Sequence, residues 1–107
     1  MATIELTLAQ DGESIDAYSG DTILLHLPEN PSTGYRWELE QLRGESIVVP
    51  RSAFEPAAGA LGSGGTATWA LHAAAAGESS LRLRQWRPWE GEASVLARFT
   101  VTVRVHP

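Results

Sequence analysis

Apolar residues recur at every second position along most of this chain, and nothing else in the sequence constrains its fold as strongly. Val95, Ala97, Phe99, Val101, Val103 and Val105 form the longest such series. Ile23, Leu25 and Leu27 form another, as do Tyr35, Trp37 and Leu39, and Ile4, Leu6 and Leu8. Period two is the repeat of a strand whose side chains alternate between core and solvent, whereas a helix repeats near 3.6. Ser14 to Tyr18, Ile47 to about Phe54, and the stretch around Leu81 and Leu83 add further strands. Turn clusters such as QDGES, SGD and LRGES separate them. Seven to eight short strands predict an all-β fold, an immunoglobulin-like antiparallel β-sandwich. With 107 residues, no internal repeat and no linker, residues 1–107 read as a single domain.

One stretch resists this reading. In TATWALHAAAAGESS the four alanines before Gly77 suit a short helix with a glycine cap. Trp69, Leu71 and Ala73, alternating with Thr68, Ala70 and His72, suit a strand. Propensity leaves both open, with the alanines leaning to helix.

Composition narrows the function. A formal net charge of −5 with scattered arginines provides no basic stripe for nucleic acid. No apolar run approaches the roughly 18 residues of a bilayer span, so no membrane insertion is expected. The absence of cysteine excludes disulfides and thiol chemistry. His26, His72 and His106 are dispersed without metal-ligand spacing, and Ser32 and Thr33 have no histidine nearby in sequence to activate them. Neither a metal, a cofactor nor catalysis is expected. Glu90 and Glu92 read as solvated carboxylates in a turn rather than a catalytic pair. The opening MATIELTLAQ alternates like a strand and lacks the charged and apolar regions of a signal peptide. That leaves open a protein that stays inside the cell and one whose export signal has been removed.

The informative features are three loops. Connections in an antiparallel sandwich alternate between its two ends, so PENPSTG, PAAGALGSGG and RPWEGEA should emerge together if residues 66–76 are one strand. In the first, Pro31 fixes its own φ and biases Asn30 away from helix, while Gly34 tolerates a positive φ. Ser32 and Thr33 are then held at the tip of a stiff turn, with hydroxyls available to a partner and little entropy left to lose. In the second, LGSGGT lacks the lysine of a phosphate-binding loop and reads as a pliant segment whose bare backbone lies against another surface. In the third, Trp86, Arg87 and Trp89 supply residue types enriched at binding hot spots, and Pro88 stiffens them. Trp86 is expected to pack on the rim and Trp89 to stay exposed.

In order and spacing, NPSTGY, GSGGT followed by Trp69, and RPW resemble the chagasin-like inhibitors of papain-family cysteine peptidases over nearly the whole chain. The resemblance implies an immunoglobulin-like sandwich, tips residues 66–74 toward strand, and implies a reversible, tight-binding inhibitor that is a monomer when free. It further implies that residues 30–35 enter the active-site cleft while the 59–66 and 87–92 loops flank it. Carried over residue by residue, the peptidase-binding positions are Asn30, Pro31, Ser32, Thr33, Gly34 and Tyr35; Gly62, Gly64 and Gly65; and Arg87, Pro88 and Trp89. Ser32 departs from the threonine common in the family, keeping the hydroxyl and losing a methyl. Glu90 and Glu92 make the third loop acidic, which would disfavour an acidic peptidase rim. The alternative is a non-inhibitory adhesion or carbohydrate-binding module, its tryptophans stacking on sugar rings.

Overall fold

The structure is a computed structural model that describes residues 2–56 and 64–107. Eight strands run in the order β1 Thr3–Leu6, β2 Ser14–Tyr18, β3 Thr22–Glu29, β4 Arg36–Arg43, β5 Ile47–Pro56, β6 Gly65–Ala73, β7 Gly77–Trp86 and β8 Ala97–His106. They form two four-stranded sheets, β1-β3-β6-β5 and β2-β8-β7-β4. Residues 65–73 are strand, so the alanine run does not make a helix. Leu71 and Ala73 are fully buried and Trp69 nearly so, and that period-two burial outweighs the helical preference of alanine.

The antiparallel expectation holds for four of the six pairings, while β1 with β3 and β2 with β8, each at one edge of its sheet, are parallel. Both facts follow from one rule. Successive strands alternate in direction, so pairs separated by an even number of steps in sequence must run the same way. The chain changes sheet at β1–β2, β2–β3, β3–β4, β4–β5 and β6–β7, and forms hairpins only at β5–β6 and β7–β8. Three expected strand positions fall outside the ladders, the first of them Tyr35, which precedes β4 in the connection from β3. Leu8 begins a 3₁₀ turn, Leu8–Gln10, because Thr7 and Gln10 form a reciprocal capping box that ends β1. Val95 closes a second turn, Glu92–Ser94, before β8 begins.

Ile23, Leu25, Leu27, Leu71, Leu81, Leu83, Phe99, Val101 and Val103 are entirely excluded from solvent between the sheets. Each such side chain contributes about 1.5–3 kcal/mol of burial, and together they make the frame stiff. At the end away from the three loops, Ser46 and Ser79 are buried against each other. The Ser79 hydroxyl accepts the Ser46 amide at 3.1 Å, and the Ser46 carbonyl accepts the Ala74 amide at 2.9 Å. Gly44 turns there with φ +88°.

Candidate functional site

Direction alternation sends the β3–β4, β5–β6 and β7–β8 connections to one end, and the side chains show that they meet. The first connection is a 3₁₀ turn at Pro31–Thr33 rather than a β-turn. Asn30 organises it. Its side-chain oxygen accepts the Ser32 amide at 3.0 Å and the Ser32 hydroxyl at 2.6 Å, and its backbone carbonyl accepts the Thr33 amide at 3.1 Å and hydroxyl at 2.8 Å. The Thr33 oxygen also accepts the Tyr35 amide at 3.3 Å. The hydroxyl protons expected to face a partner are therefore used to shape the loop itself, while both residues stay exposed. Such side-chain turns stiffen a loop before it meets anything.

Gly34 takes φ +79°, as its position in the sequence predicts, and there is a second reason for glycine. A Cβ there would lie 2.5 Å from Cη2 of Trp89. The Trp89 ring thus rests edge-on against the first loop with 70% of its surface still exposed. Arg87 binds the same loop. Its Nε donates to the Thr33 carbonyl at 3.0 Å, and its guanidinium lies 4.3 Å from the Tyr35 ring centroid, within cation–π range. Gly64 approaches from the second connection with φ +86°, where a Cβ would sit 3.3 Å from the Glu29 carbonyl and 3.4 Å from Asn30 Cβ. Its bare backbone lies against the first loop of this same chain. Gly65 opens β6 in register with Glu29. Gly62, with 59–61 and Ser63 of the expected second loop, lies outside the described residues.

The third connection is built around a side chain that its sequence did not single out. The Ser94 hydroxyl accepts the Arg87 amide at 3.0 Å and lies 2.9 Å from the Arg87 carbonyl and 2.7 Å from the Gly91 carbonyl, one of which takes its proton. Glu92 is not a free charge: Arg84 reaches it at 3.0 Å, and Arg98 contacts it while also pairing with Glu40. The hydrogen bond from Arg98 holds the Glu40 carboxyl below its usual range and raises the Arg98 guanidinium. Glu90 pairs with Arg87 at 3.2 Å. The acidic repulsion expected of these two glutamates is thus largely answered by neighbouring arginines. Trp86 packs on the rim as expected, under Arg84 at 3.4 Å, with its indole N–H on Glu38.

Sequence reading also missed a fourth participant. The β1–β2 turn lies at the same end, and Leu8, 43% exposed, lines a crevice of about 590 Å³ with Pro28, Glu29, Tyr35, Trp37 and Leu96. Counting connections from β1 instead of β3 would have placed Leu8 there. Among the described residues no cluster of histidine and carboxylate groups is placed to hold a metal, and no helix is long and apolar enough to cross a membrane. The three histidines serve local pairs or face solvent: His26 bridges Thr68 and Glu5, His106 meets Asp16, and His72 is exposed.

Comparison with known proteins identifies a family. The sequence model of the chagasin family peptidase inhibitor I42 matches residues 16–103. Chagasin of Trypanosoma cruzi is 32% identical over 107 residues, covering 95% of this chain and 97% of that protein. Amoebiasin-1 of Entamoeba histolytica is 30% identical over 102 residues, covering 95% and 99%. In three dimensions the chain resembles a crystal structure of a cysteine protease inhibitor from Entamoeba histolytica, with a TM-score of 0.83, 24% identity and coverage of 99% and 97%. At that identity the likeness shows the fold.

Proposed function

The chain belongs to the chagasin family of peptidase inhibitors, and from that membership we propose that residues 30–35 act as its wedge into the cleft of a papain-family cysteine peptidase. Arg87 to Trp89 and Gly64–Gly65 support the wedge from either side. The protein is an inhibitor and not an enzyme, and membership favours this role over an adhesion or carbohydrate-binding module. The observation that carries the reading is the convergence on one loop: the Trp89 ring edge at Gly34, the Arg87 guanidinium on Thr33 and Tyr35, and the Gly64 backbone at Asn30.

The mechanism follows from shape. A cysteine peptidase attacks a carbonyl of an extended peptide held in line with its thiolate, with an oxyanion site behind. Residues 31–33 are wound into a 3₁₀ turn locked by Asn30, so they occupy the space above the catalytic pair without presenting an extended bond. Because the turn is shaped before binding, little conformational entropy is lost on insertion. Trp89 adds a large, flat, exposed anchor beside it.

Titrating the protein into papain while following hydrolysis of a fluorogenic peptide tests this, with a serine peptidase as control. The expected result is loss of papain activity, an unaffected control and an inhibitor recovered intact on either side of Thr33. Papain activity that persists at saturating inhibitor, or prompt cleavage at Thr33, contradicts it.

A further inference from the structure

We propose that Glu29 is a positioning residue for inhibition, its carboxylate closing the neck of the first loop and thereby setting the direction in which residues 30–34 leave the sandwich. The inference rests on the reading of that loop as the inserting wedge.

The loop joins β3 of one sheet to β4 of the other, so no backbone ladder connects its two feet. Two hydrogen bonds take the ladder's place, both made to Trp37. Glu29 Oε1 accepts the Trp37 amide at 2.6 Å, and the Pro28 carbonyl accepts the Trp37 indole N–H at 2.9 Å. The first is charge-assisted and short, the stronger kind. Both of its ends are anchored. Glu29 is the last residue of β3, in register with Gly65, and Trp37 is a buried core side chain, 6% exposed. β4 is an edge strand, so an amide there has neighbours on only one side.

The bonds made by Asn30 have a different effect. Those to Ser32 and Thr33 run within the loop and stiffen its tip. The Glu29 bond spans the neck and ties the loop to β4 of the other sheet. A supporting residue that holds a rigid tip at the wrong angle costs binding as surely as a missing contact, since complementarity is lost across the whole surface. Glu29 also lines the crevice with Tyr35 and Trp37, and its bond to Trp37 lets it act without touching the peptidase.

Two substitutions separate reach from charge. E29Q keeps a side-chain oxygen at the same distance and removes the charge, whereas E29D keeps the charge and shortens the side chain by one methylene. The inhibition constant against papain and the amide hydrogen exchange of Trp37 are measured for each. The expectation is that E29Q stays within about threefold of the parent in both, while E29D weakens inhibition and speeds Trp37 exchange by about tenfold or more. If E29D inhibits as tightly as the parent, the inference is wrong. It is also wrong if E29Q is the weak variant and E29D the tight one with Trp37 exchange unchanged, since the carboxylate would then be a direct charge contact. A parent chain that leaves papain fully active removes the wedge reading itself, and is distinguishable because no variant then needs to be compared.

Discussion

Gly34 and Trp89 lie against each other across two of the loops, and they should fail in different ways. Trp89 is 70% exposed, so its indole contributes little to folding. Trp89→Ala is expected to change stability by less than about 0.5 kcal/mol yet to weaken peptidase binding by more than about 2 kcal/mol, roughly thirtyfold in the inhibition constant. Calorimetry and inhibition titration on the same sample check this, and an unchanged inhibition constant would make Trp89 a bystander. Gly34→Ala forces a side chain into φ +79° and into the indole. The ring is exposed and can swing away, so the folding cost is the backbone strain, about 1–2 kcal/mol. Binding should suffer more than stability, because the displaced ring is the anchor. Gly44→Ala gives the opposite pattern. Its Cβ would lie 2.5 Å from the Glu78 backbone carbonyl at φ +88°, with no flexible side chain to give way. A stability loss on the order of 2–4 kcal/mol is expected, while the folded fraction inhibits normally, because Gly44 lies at the far end of the sandwich.

At the scale of elements, much was legible. The strands with strict alternation, β3, β7 and β8, read directly from Ile23–Leu27, Leu81–Leu83 and Ala97–Val105, because a half-buried strand writes its burial into every second residue. Strand β6 was not legible locally. Alanine satisfies a helix and a small-residue strand face equally well, and only the neighbours at Ile23, Leu25 and Leu27 decide between them. The turn at Leu8 was hidden for a similar reason: a capping box overrode an alternation that ran through it. Asp21 shows how a turn ties elements together. Its carboxylate, buried in the β2–β3 turn, accepts the amides of Tyr18 and Ala2 at 2.9 and 2.8 Å, and these bonds lower its pKa. A carboxylate with a depressed folded pKa stabilises the fold above its unfolded value and loses that contribution as pH falls through the folded one. Stability should therefore drop as pH is lowered below about 4, and Asp21→Asn should flatten that part of the profile. A thermal-melt series from pH 7 to 2 on both proteins checks it; parallel curves would refute the role.

For the whole molecule, the sequence singled out three segments, because proline, glycine and tryptophan in loops are conspicuous. It did not disclose how they hold one another. Arg87 reaches Thr33 although both read as facing a partner, and Ser94 gathering Arg87 and Gly91 and Glu29 capping Trp37 depend on a serine and a glutamate whose types are unremarkable where they stand. Only the alternation of strand directions brings them together at one end. That shared end makes the loops a single surface, and if that surface is the wedge proposed above, burying the roughly 1,600 Å² usual for a protease–inhibitor complex, it excludes substrate from the groove it fills. Measuring the apparent inhibition constant against papain at several substrate concentrations tests this most directly. A constant that rises in proportion to one plus the ratio of substrate concentration to KM is the predicted result; one that does not change with substrate would place the inhibitor outside the groove and contradict the account.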